Sequence, residues 1–217
     1  MAQFIHSKRG DIHIINLEKT VEQFDIALAF ITDVVARGQQ ILFVGTKRQA
    51  KDLVKEIAEA VKQPYVTERW LGGMLTNSNT INVRIKKLKD LEAKMENGEL
   101  AAKYNKLEVQ RYQEQIDLMN VSFGGIKDLQ GRPGALFIID ISKEDTAVKE
   151  ANRLGVPIVA LVDTNVDPSK VKYPIPCNDD AIKAIALALN YAKEAVLAGQ
   201  TARVKKADKA DNAKKEG

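Results

Sequence analysis

"ILFVGTKRQ", from Ile41 to Gln49, decides how the rest of the chain is read. Four consecutive apolar residues leave no polar side for water, so a strand made of them must be covered on both faces. Gly45 allows a tight turn, and Thr46 to Gln49 has the hydroxyl-to-amide spacing of a capping box, which predicts a helix opening there. Two further runs have the same character, "ALFIID" (Ala135 to Asp140) and "PIVALVD" (Pro157 to Asp163). Between and after them, "SKEDTAVKEANRLG" (Ser142 to Gly155) and "NDDAIKAIALALNYAKEAVLAG" (Asn178 to Gly199) have helical spacing. Upstream, "IHIIN" (Ile12 to Asn16) predicts a short strand. "TVEQ" (Thr20 to Gln23) predicts a second capping box, with Gly38 closing its helix. "YVTE" (Tyr65 to Glu68) reads as one more short strand.

Apolar strands alternating with helices predict an α/β fold: a parallel β-sheet flanked by helices on both faces, flavodoxin-like in type. The rhythm breaks once. Ile81, Ile85, Leu88, Leu91 and Met95 repeat at helical spacing, "ENGE" (Glu96 to Glu99) reads as a reversal, and Val109, Tyr112, Ile116, Met119 and Phe123 repeat again. The pattern predicts an inserted α-helical coiled-coil hairpin over 80–122, whose arms of about 20 residues would project roughly 30 Å. The α/β body then comprises 1–79 and 123–199. From Gln200 onward the composition collapses to Lys, Ala, Asp and Asn, with six basic and three acidic side chains, which predicts a basic disordered tail over 200–217.

Composition excludes several classes of function. The 217 residues carry 33 basic and 29 acidic side chains, a formal +4 that permits a local nucleic-acid patch without requiring one. One cysteine, Cys177, rules out an internal disulfide framework. With only His6 and His13 besides, no zinc-ligand spacing is present, so no metal and no cofactor is expected. There is no signal-peptide core and no membrane-length apolar run, so the chain is expected to be cytoplasmic, with no membrane partner.

Catalytic constellations are weak. "FVGTKRQAK" imitates a phosphate loop but has Thr46 where a second glycine belongs. Asp140 and Asp163 end apolar strands at the edge where parallel sheets bind ligands, and could hold magnesium as in a phosphoacceptor domain. Turn formation is the preferred reading, because no lysine is evidently beside them. Neither histidine accompanies a nucleophile, and no catalytic residue is assigned.

Basic residues cluster more tellingly. Arg69 abuts the only tryptophan in "RWLGGMLTN" (Arg69 to Asn77); Arg84, Lys86, Lys87 and Lys89 lie at the root of the hairpin; Lys127 and Arg132 lie in "GGIKDLQGRPG" where it returns. These three segments are expected to converge into a surface for a phosphate-rich polymer. Arg69, Arg84, Lys86, Lys87 and Arg132 are the candidate phosphate contacts, with Lys47 and Arg48 as further candidates at a helix N-terminus. Trp70, Gly72, Gly73 and Asn77 are read as anchors of the loop that presents Arg69.

At this point the chain resembles a known family. "IHIINLEKT", "ILFVGTKRQA", "RWLGGMLTN", "GGIKDLQGRPGALFIID", "KEANRLGVPIVALVDTNVDP" and "IPCNDDAIKAI" are similar, in order, to the bacterial-type S-two family of small-subunit ribosomal proteins. The resemblance covers Ile12 to about Ile185. It implies a structural, non-catalytic role in translation: binding small-subunit ribosomal RNA at the head–body junction and helping to dock the large mRNA-binding ribosomal protein S-one. Neighbouring small-subunit proteins are the implied partners, and no homo-oligomer is implied. Three departures stand out. No counterpart of the family's "GVHFGH"-like opening precedes "IHII", Cys177 stands where the family commonly has glycine, and Ser78 replaces the usual aromatic after "LTN". Two rivals remain from the residues alone. One is a flavodoxin-like nucleotide- or flavin-binding protein, or a magnesium-dependent phosphoacceptor using Asp140 and Asp163; the other is a free adaptor whose hairpin binds protein without RNA.

Overall fold

A computed structural model describes residues 1–215, with the side chains of Ala2 and 207–215 left aside. The sheet elements are β1 (Ile5–Arg9), β2 (Ile12–Ile15), β3 (Ile41–Val44), β4 (Tyr65–Val66), β5 (Ala135–Ile139), β6 (Ile158–Val162) and β7 (Tyr173–Pro176). The helices are α1 (Leu17–Ala36), α2 (Lys51–Ala60), α3 (Ser78–Glu96), α4 (Glu99–Lys103), α5 (Lys106–Phe123), α6 (Asp145–Leu154) and α7 (Ile182–Lys215).

β3, β5 and β6 are buried at every position, as their unbroken apolar runs require. They form the centre of a five-stranded sheet in the order β4-β3-β5-β6-β7, parallel throughout. Alternation divides the core. Leu42, Val44, Leu136 and Ile138 face α3, α5, α6 and the 70–75 loop, while Ile41, Phe43, Phe137 and Val159 face α1, α2 and α7. Helices therefore cover both faces of the sheet. Among the described residues no helix is long and apolar enough to cross a membrane.

Several local expectations need correction. The strand at Ile12 does not join the parallel sheet; β2 pairs antiparallel with β1 in a separate hairpin. Helix α1 begins before Thr20, because the Asn16 side chain accepts from the Glu18 and Lys19 amides and so fixes the N-cap four residues earlier. The Thr20 hydroxyl instead donates to Pro176 O. Thr46 opens no helix: α2 starts at Lys51, after a turn in which Ala50 and Lys51 N–H donate to Lys47 O. β7, "YPIP", is a strand that sequence reading missed. Its two prolines are tolerated because it lies at the sheet edge.

Within the inserted segment, α3 and α5 pack against each other and bury Ile81, Ile85, Leu88, Leu91, Ile116 and Phe123. The reversal is not a single turn. Gly98 takes a left-handed φ of 72°, the short α4 follows, and only then does a capping box of Asn105 and Glu108 start α5. Helix α7 extends to Lys215, so most of the stretch expected to be disordered is described as helix. Gln200 within it donates to Val61 O at 2.8 Å.

Candidate nucleic-acid interface

The "RWLGGMLTN" loop is organised by a residue distant in sequence. Glu150, on the apolar face of α6 between Ala147 and Leu154, is 8% exposed. Its Oε1 accepts from the Trp70 indole at 3.1 Å and the Gly73 amide at 2.7 Å. Its Oε2 accepts from the amides of Leu75 and Thr76 and from the Thr76 hydroxyl, each at 3.0 Å. Burial alone would raise the pKa of this carboxyl, but the Thr76, Trp70, Gly73 and Leu75 donors outweigh it and hold the group below the ordinary range. Five neutral donors thus stabilise one buried anion without consuming a cation.

Around that point the expected anchors divide. Trp70 is buried, and Gly73 has a φ of 87° that favours glycine. Gly72 is exposed, and a Cβ there would meet nothing within 4 Å. Asn77 makes no side-chain cap to α3; its Oδ1 accepts from the Thr80 hydroxyl instead.

The arm root and the returning loop come together. Lys127 Nζ lies 2.6 Å from Glu92, and Lys89 Nζ lies 3.0 Å from Asp128. These pairs pin the 127–132 loop along α3. Arg84, Lys86 and Lys87 are exposed on the same helix and make no ion pair among the described residues. Arg132 is exposed and donates to Leu154 O at 3.1 Å. Arg69, also exposed, lines a different cavity of about 400 Å³ with Lys51 and Lys55 of α2 and Asp117 and Asn120 of α5. The 127–132 loop is therefore tied to the helix that carries Arg84, Lys86 and Lys87, while Arg69 is set towards the end of α5.

The C-terminal edge of the sheet is chemically different. Lys47 Nζ lies 2.6 Å from Asp180, 2.7 Å from Asp179 and 3.3 Å from Asp140. This is the lysine that sequence reading did not find beside Asp140. Carboxylate oxygens of Asp163, Asp179 and Asp180 lie within 4.8 Å of one another. Burial works to lower the Lys47 pKa, but its bonds to Asp179 and Asp180 prevail and the ammonium is stabilised. Asp179 moves the other way, its pKa raised by burial. Asp140 sits at a left-handed φ of 65° and accepts from the Ser142 and Lys143 amides, as the turn reading expects. Glu144 accepts from the Thr46 amide and hydroxyl. The protein's own side chains thus bridge β3 and β5, where a doubly wound sheet would open to a ligand. Arg48 is exposed next to this edge.

Comparison with known proteins decides the family. Residues 1–199 match the profile of ribosomal protein S2.

The chain belongs to the ribosomal protein S2 family. Small ribosomal subunit protein uS2 of Coprothermobacter proteolyticus is 44% identical over 203 residues, which covers 94% of this chain and 75% of that relative. Membership of the S2 family makes this a structural component of the small ribosomal subunit acting in translation, not an enzyme. Ribosomal RNA and other ribosomal proteins are its surroundings there.

The Glu150 network escaped sequence reading because its partners lie 74 to 80 residues away. A signal was nevertheless present: an acid on the apolar stripe of an amphipathic helix needs buried donors.

Proposed function

We propose that this chain binds small-subunit ribosomal RNA through phosphate contacts at the arm root, at the head–body junction, in the cytoplasm. Arg84, Lys86, Lys87 and Arg132 supply the charge, and Arg69 contacts RNA from the end of α5. Supporting this reading is α3 itself, which carries three exposed cations without ion pairs among the described residues and is tied to the 127–132 loop by two ion pairs. Such contacts position the protein, and the shape of the RNA supplies specificity. Lys47 plays no part in this reading, since three carboxylates already surround it.

The body comprises 1–79 and 123–199, and the arm at 80–122 reaches a second surface. We further propose that the chain helps dock the S-one protein. Small subunits stripped of this chain should lose most of their S-one protein and recover it when the purified chain is added back, read by sedimentation and immunoblotting. S-one retention unchanged by stripping would refute the docking role and leave the RNA contacts standing.

A further inference from the structure

We infer that the N-terminal edge of the sheet is a second binding site for the phosphodiester backbone of RNA. It adjoins the arm root through Arg132, and the inference rests on the small-subunit role proposed above. Arg37 ends α1, Arg132 precedes β5 and Lys172 precedes β7, yet all three line one open cavity of about 510 Å³. Asp33 is the one acid in that lining, and it is paired with Arg37 at 2.8 Å. The cavity therefore keeps a net excess of cationic charge in a concave surface, where the field is strongest. A fourth cation borders it: a Cβ on Gly38 would sit 3.3 Å from Arg203 Cζ.

The site offers charge rather than base stacking. Tyr173 is stacked on Phe30, with ring centroids 4.2 Å apart, and the Lys172 ammonium lies 5.5 Å from the Tyr173 centroid. A polyanion that carries one charge per unit suits cations contributed by separate elements. Guanidinium forks fit phosphate oxygens in pairs. The Arg132 bond to Leu154 O takes up one of its donors and orients the rest. Arg132 also lines a neighbouring cavity of about 260 Å³ with Ser78 and Asn82 in the first two turns of α3. One RNA segment could pass over Arg132 from the arm root to the sheet edge.

The test uses the full chain with Cys177→Ser and a single cysteine at Lys172→Cys or Arg84→Cys, each carrying tethered iron-EDTA. The proteins are added to small subunits depleted of the native chain. Ribosomal RNA strand cuts from both tethers are expected. In parallel, Arg37→Gln/Arg132→Gln/Lys172→Gln should make the log affinity against log salt slope shallower by about 2. Cuts from position 84 alone overturn the inference; if the salt slope still falls, the cavity faces an acidic protein instead. A Cys177→Ser parent that never enters the subunit would strike at the ribosomal role itself, a different failure.

Discussion

Glu150 and Lys47 are mirror images. One is a buried anion surrounded by five neutral donors, and the other a cation surrounded by three carboxylates. The difference lies in what each leaves over. Around Glu150 no cation is used, so Arg69 at the start of the loop remains exposed. Around Lys47 acids outnumber the base, so that edge is negative and its lysine is taken. The usual ligand edge of an α/β sheet is thus the one least suited to a polyanion. Exposed cations without ion pairs among the described residues stand on α3, at Arg84, Lys86 and Lys87, and at the opposite edge, at Arg132 and Lys172.

Removing the centre of each network tests this contrast, and Glu150→Ala should have the largest effect. It orphans buried donors at about 1–3 kcal/mol each, non-additively, so a loss on the order of 4 kcal/mol in urea unfolding is expected. A loss below about 1 kcal/mol would mean that Trp70 burial alone holds the loop. The folded pKa of Glu150 is depressed, so its stabilisation is complete above the ordinary glutamate value of about 4.3 and fades as pH falls through the folded value.

Next in size is Lys47→Met, expected to cost about 2–4 kcal/mol at neutral pH by leaving the buried Asp179 without its cation. That cost should shrink on acidification, because protonating the aspartates removes their repulsion. A penalty independent of pH would show that packing, not charge, makes Lys47 important.

Smallest is Glu144→Gln. Burial raises the Glu144 pKa against the opposing Thr46 bonds, so its contribution is fullest below about pH 4.3 and is lost as pH rises through the folded value. A glutamine oxygen can still accept from Thr46. The variant should be more stable than the parent at pH 7 and no more stable at pH 4, read by urea unfolding at the two pH values. Equal effects at both pH values would contradict the burial argument.

Much of the fold was legible because β3, β5 and β6 are apolar at every position, a pattern that permits few alternatives. The edges were less legible. β4 was found within "YVTE" although it has only two residues, whereas β7 has two prolines and carries no strong local signal. Cap positions misled where a hydroxyl found a distant partner, as Thr46 did in Glu144 and Thr20 in Pro176. In the inserted segment, the placing of Arg84, Lys86 and Lys87 on a helix followed from helical spacing. The capture of Lys47 did not, since Asp179 lies 132 residues further along the chain.

The most direct test of this division compares two variants binding to small subunits depleted of the native chain across a salt series. Arg84→Gln/Lys86→Gln/Lys87→Gln should make the log–log slope shallower by roughly 2 to 3, while Lys47→Gln should leave it unchanged. An unchanged slope in the arm-root variant together with a shallower one for Lys47→Gln would place the RNA on the acidic edge and contradict the account.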